Sequence, residues 1–221
     1  MMQKSHQTYV NRLKELLAED LPGINSHMKM VPSIRQREIE KQKWNMNAKK
    51  AAVLICLYPG ENGSICFPLI RRNEYDGVHS GQISLPGGKF EEHDENLIQT
   101  ATREAEEETN IRASQLEILG TITPVYIPPS NFIVQPVIAW ASEKPEFIPE
   151  QSEVAEIITV SLTDLTSENA RQLKNIPHRE YSAIDVPCFY IHRNIIWGAT
   201  AMILSEVVEI LGSLTQLRSH E

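Results

Sequence analysis

Apolar and polar positions along this chain fall into blocks of recognisable period. Val10, Leu13, Leu16 and Leu17 recur at helical spacing, which predicts an amphipathic helix over residues 9–17, stopped by Pro22-Gly23. Residues 24–47 are polar and mixed, and no element is assigned to them. The unbroken apolar run AAVLICLYP at 51–59 predicts a buried strand, and ICFPLIRR at 65–72 its partner across a GENGS turn. A glycine-rich loop follows, with a short strand near Ile83 and Leu85. Residues 96–109 predict a helix. LEILGTITPVYI and FIVQPVIAWA read as strands separated by PPSN, and residues 157–162 as another. A short capped helix is expected over 163–173, then a strand VPCFYIH, then a long helix from Asn194 to near Gly212. No repeat or linker divides the chain. The pattern predicts a single α/β domain, a mixed sheet covered by helices, with residues 1–50 as a helical and irregular extension packed on a domain of residues 51–221.

Composition narrows the function. The chain has 221 residues, 41% of them hydrophobic, enough for one sizeable core. Its formal net charge of -8 argues against a general grip on nucleic acid. Cys56, Cys66 and Cys188 form no CxxC pair, which fits a reducing compartment and offers no zinc site. The N-terminal stretch has no apolar signal region, no run approaches the length of a membrane span, and the C-terminus carries no address tag, so a cytoplasmic location is expected.

The chemistry concentrates in residues 85–111, LPGGKFEEHDENLIQTATREAEEETNI. On a helix, Glu104 and Glu108 lie about 40° apart, with Glu107 about 60° to the other side of Glu104, while Glu106 points away. Ile98, Ala101 and Ala105 form a neighbouring apolar stripe. Like charges so spaced repel; such a face is either solvated or holds a cation. Three carboxylates suit a hard cation such as Mg²⁺. The preceding PGGK favours a site, because glycines let the backbone of Gly87 and Gly88 approach a ligand and Lys89 can neutralise a phosphate. Asp94 is the candidate helix cap.

These residues resemble the Nudix hydrolases. The run from Arg103 to Ile111, REAEEETNI, matches the second half of that family's box, with Asn110 where the family has glycine; Asn is the next-best left-handed cap. Counting back by the family's spacing puts its glutamate on Glu95 and its glycine on Lys89, one past Gly88, so the loop carries one extra residue. The upstream PLIRRNEYDGVHSGQISLPGGK is similar to the coenzyme A pyrophosphatase branch: Leu69, Arg72, Gly81, Pro86, Gly87 and Gly88 fit its pattern, and Leu85 replaces a phenylalanine. Pro68, Ile70, Asn73 and Gly77 depart from it, Gly77 standing where the branch has arginine. The extra loop residue is a trait of the same branch, and PPSNFIVQPVI and IIWGATA also look like it.

The resemblance implies a Nudix-type α/β/α sandwich with a mixed β-sheet and a catalytic loop-helix motif. It implies metal-dependent cleavage of coenzyme A or acyl-CoA to 4'-phosphopantetheine and adenosine 3',5'-bisphosphate, with Mg²⁺ or Mn²⁺. Glu104, Glu107, Glu108 and the Gly88 carbonyl are assigned to the metal, and Arg103 to holding a glutamate in place. Arg71, Arg72, Lys89 and Gly87 are assigned to the substrate. The general base is left open among these glutamates and a carboxylate from a later loop. Two alternatives stand: another nucleoside diphosphate derivative such as ADP-ribose or a dinucleotide, and a non-catalytic nucleotide-binding module. His79 is read as a structural loop residue, Trp140 and Trp197 as core, and residues 195–211 as packing or a homodimer face rather than a membrane contact. A small nucleotide is the expected partner, and neither nucleic acid nor membrane.

Overall fold

The apolar run at 51–59 is continuous because both of its faces are covered. In the computed structural model, which describes residues 2–34, 36, 47–74, 81–177 and 182–217, it forms the centre of strand β1, Lys49–Pro59. Ala52, Leu54, Cys56 and Tyr58 turn to one face and pack with Ala101 and Ala105 of helix α3, Leu97–Thr109. Ala51, Ile55 and Leu57 turn to the other face, packing with Val10 and Leu13 of α1, Met2–Leu17, and with Leu204 and Val207 of α5, Gly198–Leu217. A strand buried on both faces has no polar side to show. Strand β7, Phe132–Ala141, runs parallel to β1 and divides likewise: Val137, Ala139 and Ala141 face α3, whereas Val134, Ile138 and Trp140 face α5.

The other edge of β1 is shared. Strand β4, Gly87–Lys89, pairs with Ala51–Val53, while β2, Ile65–Arg72, pairs only with Tyr58 and Pro59. Away from that short contact β2 splays off to join β3, Ile83–Ser84, and β8, Val154–Ser161. On the outer edge of β7 lie β5, Leu116–Thr121, and β6, Val125–Ile127. A separate antiparallel sheet joins β9, Arg171–Pro177, β10, Ala183–Ile191, and β11, Asn194–Trp197. The expected mixed sheet covered by helices is therefore what forms.

Three segments differ from expectation. The helix after β8, α4, covers only Leu162–Thr166, capped by Ser161, whose Oγ accepts from the Asp164 N–H at 3.0 Å; the chain then extends into β9. Asn194–Trp197 is strand, not the start of the long helix. His192 and Arg193 both have positive φ, 49° and 67°, the two-residue turn that folds β11 back onto β10. Helix α5 starts at Gly198, whose φ of 66° redirects the chain. LEILGTITPVYI is two strands, because Ile122, Thr123 and Pro124 interrupt it.

The N-terminal segment is tied to α5 by a buried carboxylate. Glu206, 0% exposed, accepts from the Gly23 N–H at 3.1 Å and the Thr123 hydroxyl at 2.6 Å, and lies 2.9 Å from His27 Nε2 on α2, Ile24–Met28. Among the described residues no helix is long and apolar enough to cross a membrane. Glu206→Ala leaves these partners buried without their acceptor and is expected to cost about 3 kcal/mol, lowering the melting temperature by roughly 6–12 °C in a chain of this size. Calorimetry of Glu206→Ala beside Glu206→Gln, which keeps an acceptor oxygen, checks this; equal melting of all three proteins would contradict it.

Candidate active site

Helix α3 is held at both ends. Asn96, not Asp94, is its N-cap: Asn96 Oδ1 accepts from the backbone N–H groups of Ile98 and Gln99 at 2.9 and 3.0 Å. At the far end Asn110 adopts the left-handed conformation at φ 62° and donates its N–H to Glu106 O at 2.9 Å. The last carbonyls are met by the loop before β8: the N–H groups of Ile148 and Glu150 donate to Thr109 O and Glu108 O. Ala101 and Ala105 are fully buried and let the helix lie close on β1, whereas Ile98 is exposed and does not continue their stripe. Glu106 does face away, and its carboxylate accepts from the Ala113 N–H at 3.0 Å.

Asp94 has a different task. Its carboxylate takes a two-pronged bond from Arg103, Nε to Oδ1 at 2.9 Å and Nη2 to Oδ2 at 3.1 Å. It also accepts from the Thr100 hydroxyl and the Glu91 N–H. The Arg103 guanidinium, with these two further donors, holds Asp94 well below the usual carboxylate range against the effect of its burial. Asp94 in turn raises the Arg103 pKa. Glu95, where counting by spacing put the acidic loop position, is exposed. The extra loop residue thus follows the acidic position, and Asp94 supplies the carboxylate that anchors the arginine.

From that anchor Arg103 reaches the rest of the site. Nη2 donates to Lys89 O at 3.1 Å, fastening α3 to β4, and lies 3.1 Å from Glu104 Oε1; Nη1 donates to Glu107 Oε2 at 3.1 Å. Gly87 cannot carry a side chain here, and one on Gly88 would displace the Glu104 carboxylate. A Cβ on Gly88 would sit 2.3 Å from Glu104 Oε2, and one on Gly87, at φ 148°, 2.3 Å from Ala52 O. The Gly87 N–H donates to Glu108 Oε2 at 2.7 Å. In this structure the Gly87 N–H, assigned from sequence to the substrate, is engaged by Glu108.

Glu108 is 3% exposed, with Arg72 Nη1 3.8 Å from Oε1. Burial pushes its pKa up to about 7, opposed by the Gly87 N–H and Arg72 and reinforced by the charges of Glu104 and Glu153. Burial likewise raises Glu104, opposed by Arg103 and reinforced by Glu107 and Glu153. Glu153 was not named from sequence. It stands at the start of β8, where its N–H bonds Glu150 O and its carbonyl accepts from the Asn73 N–H at 3.0 Å. A carboxylate from a later loop was one of the alternatives for the general base, and Glu153 is such a carboxylate whose charge bears on Glu104 and Glu108.

The structure brings Glu104, Glu107, Glu108, Arg103, Gly87, Gly88 and Arg72 together. Lys89 is exposed, and the register of β4 turns its side chain to the face opposite Gly88 and Glu104. Arg71 does not join: it turns to β8 and β11, where Nε bonds Glu156 at 3.1 Å and Nη2 bonds Asn194 Oδ1 at 2.8 Å. Gly77 and His79 lie outside the described residues. Trp140 is core, whereas Trp197 is only half-buried.

Among the described residues no three acidic, histidine or cysteine side chains are gathered as a ready-made metal cage. The reason is visible: Arg103 draws Glu104 and Glu107, and Gly87 holds Glu108. The donors nevertheless fit a hard divalent cation. All are oxygens, and the burial that raises the pKa of Glu104 and Glu108, reinforced by neighbouring carboxylate charge, is a cost that a cation would relieve.

A two-glycine strand lying beneath a helix with three glutamates on one face, within a mixed sheet, defines the class. The NUDIX domain profile matches residues 48–183, and the chain belongs to the Nudix family. It is 32% identical over 180 residues to Nudix hydrolase 15, mitochondrial, of Arabidopsis thaliana, covering 78% of this chain and 62% of the plant protein. It is 33% identical over 166 residues to the Uncharacterized Nudix hydrolase NudL of Yersinia pestis (strain Pestoides F), covering 73% of this chain and 79% of NudL. The crystal structure of RenU, a Nudix hydrolase from M. smegmatis, shares the fold at 22% identity and a TM-score of 0.53, over 75% of this chain and 87% of RenU. The chain spans less than two thirds of the plant relative's length. Nudix hydrolases generally use divalent metal ions.

Two outcomes follow from this geometry. Asp94→Asn breaks a buried pair and is expected to cost about 3 kcal/mol, whereas Glu95→Gln stays within about 0.5 kcal/mol of the native chain; denaturant unfolding of both decides which residue anchors Arg103. Glu108 gains pKa on folding, so the stability it contributes is full below the ordinary carboxyl value of 4.5 and is lost as pH rises through about 7. Metal-free Glu108→Gln should therefore melt above the native chain at about pH 8 and lose that advantage near pH 5. Parallel melting curves at both pH values would refute burial as the cause.

Proposed function

We propose that this chain hydrolyses the pyrophosphate bond of a nucleoside diphosphate derivative, and that its substrate is coenzyme A or an acyl-CoA. The observation that carries the reaction is Glu108, buried between the Gly87 N–H and Arg72 and sharing one helix face with Glu104 and Glu107. Such a cluster serves little purpose without a cation to hold. Glu104, Glu107, Glu108 and the Gly88 carbonyl would hold Mg²⁺ or Mn²⁺, which neutralises the diphosphate and lowers the pKa of a bound water.

The chain's own groups do the rest. Asp94 fixes the Arg103 fork, which holds Glu104 and Glu107 at the edge of β4. Arg72 bears positive charge beside Glu108, Lys89 bears one at the exposed edge of β4, and both would bind substrate phosphates. Glu153, whose charge already bears on Glu104 and Glu108, is the carboxylate we assign to receive the water's proton.

The stretch from Leu69 to Gly88 supports coenzyme A as substrate, since Leu69, Arg72, Gly81, Pro86, Gly87 and Gly88 all fit that branch. One observation favours a second reading: Gly77 stands where the branch has arginine, so ADP-ribose or a dinucleotide is the competing substrate.

Product analysis by mass tests the reading. With Mg²⁺ or Mn²⁺, coenzyme A should yield 4'-phosphopantetheine and adenosine 3',5'-bisphosphate much faster than ADP-ribose is cleaved. Rapid cleavage of ADP-ribose alone would discard the substrate and keep the metal site. Glu107→Gln and Glu108→Gln should each lower kcat by about 100-fold or more; native rates in both would remove the glutamates from the mechanism.

A further inference from the structure

The loop that carries Glu153 reaches the glutamates from far along the chain. Residues 142–153 join β7 to β8, and most of their side chains are exposed. Two apolar residues tie the first part of the loop to the core. Pro145 is buried, and the Phe147 ring meets Tyr58 edge-on, with 5.5 Å between centroids. From 148 to 153 every side chain is exposed. Burial therefore does not fix where the Glu153 carboxylate stands. A segment with so little apolar contact opens locally unless hydrogen bonds hold it.

Hydrogen bonds fasten the loop on two sides. On one side lies the end of α3: the N–H groups of Ile148 and Glu150 donate to Thr109 O at 3.1 Å and to Glu108 O at 3.0 Å. On the other lies the end of β2: the Asn73 N–H donates to Glu153 O at 3.0 Å. These are backbone bonds, open to almost any sequence. Two side chains add to them. Asn110 Nδ2 donates to Glu146 O at 3.0 Å, and Asn73 Nδ2 donates to Gln151 O at 2.8 Å. One amide grips the start of the exposed stretch and the other grips it beside Glu153.

Local backbone geometry does not call for either amide. Asn110, at φ 62°, occupies the left-handed position in which glycine is the easier residue. A glycine there would keep the N–H bond to Glu106 O and lose only the bond to Glu146. An alanine at 73 would likewise keep the backbone bond to Glu153 O. Both asparagines stand where the chain departs from the Nudix patterns it otherwise matches. The two departures share one result, an amide donor bonded to this loop.

We propose that Asn73 and Asn110 are positioning residues that clamp the loop from Glu146 to Glu153 between β2 and α3, and so keep the Glu153 carboxylate within reach of the attacking water. This rests on the reading of Glu153 as the group that receives the water's proton. A general base acts only within about 3 Å of the proton it takes, or through one water. A displacement of about 1 Å can cost as much as about 100-fold in rate.

Asn73→Ala and Asn110→Gly each remove one amide and keep the backbone bonds. Rates of the full chain with Mg²⁺ are measured on coenzyme A and on ADP-ribose. On whichever is cleaved, each variant should lower kcat by about tenfold and leave KM within about twofold. In a Glu153→Gln background there is no carboxylate left to place, so adding either variant should lower kcat no further. Native kcat in both asparagine variants, or equal losses with and without Glu153, would overturn the proposal. Hydrogen exchange of the metal-free chain, followed by mass spectrometry, tests the clamp apart from the reaction. Peptides covering 146–153 should exchange about fivefold faster in either variant, the effect of one lost hydrogen bond, while peptides from β1 and β7 stay unchanged. Unchanged exchange in the loop overturns the clamp whatever the rates. Faster exchange beside a native rate in Glu153→Gln leaves the clamp standing and discards the general-base reading.

Discussion

The fork between Asp94 and Arg103 is the constraint on which the site depends. A guanidinium bonded at two points to a buried carboxylate has its direction set. Its remaining N–H groups then fix three things at once: the carbonyl of Lys89, and with it the edge of β4, and the carboxylates of Glu104 and Glu107. Strand, loop and helix are thereby held in one geometry by a single side chain. Because Asp94 lies in the loop and Arg103 on the helix, the ion pair also closes the loop against α3.

Glu108 shows the opposite situation, a carboxylate placed where its charge is unwelcome. It is buried on the face of α3 next to the alanines that let the helix approach β1, and its compensation is a backbone N–H and a distant arginine. Glu104 and Glu153 add repulsion. Such a charge is relieved by a proton, as its raised pKa records, or by a cation, and the second is the physical link to the divalent metal ions that Nudix hydrolases generally use.

The scaffold exposes the edge of the site because one side of β1 is shared. β4 pairs with its first half and β2 touches only its end. That division leaves β4 as a short, glycine-bearing edge under α3, while the sheet continues through β7 to β6. The α3 face carries the glutamates and the α5 face carries apolar core, so strand register decides what lies beside what.

Much of this was legible in the chain itself. The apolar run of β1, the helix with Glu104, Glu107 and Glu108 on one face, the left-handed Asn110 and the glycines of β4 follow from local periodicity and backbone chemistry, which neighbours along the chain determine. Sequence spacing could not choose between Asp94 and Glu95, because one inserted residue shifts the count and only the reach of Arg103 resolves it. Nor could it separate Arg71 from Arg72: adjacent residues on a strand face opposite ways, and which faces the glutamates depends on how β2 pairs. Asn194–Trp197 reads as the start of a helix until a two-residue turn pairs it with β10. Glu153 has no local signature, since its proximity to Glu104 and Glu108 brings together segments distant in sequence. The sequence alone determined the elements and the kind of chemistry; tertiary contact decided which carboxylates and cations meet, because burial and pairing are properties of the folded neighbourhood.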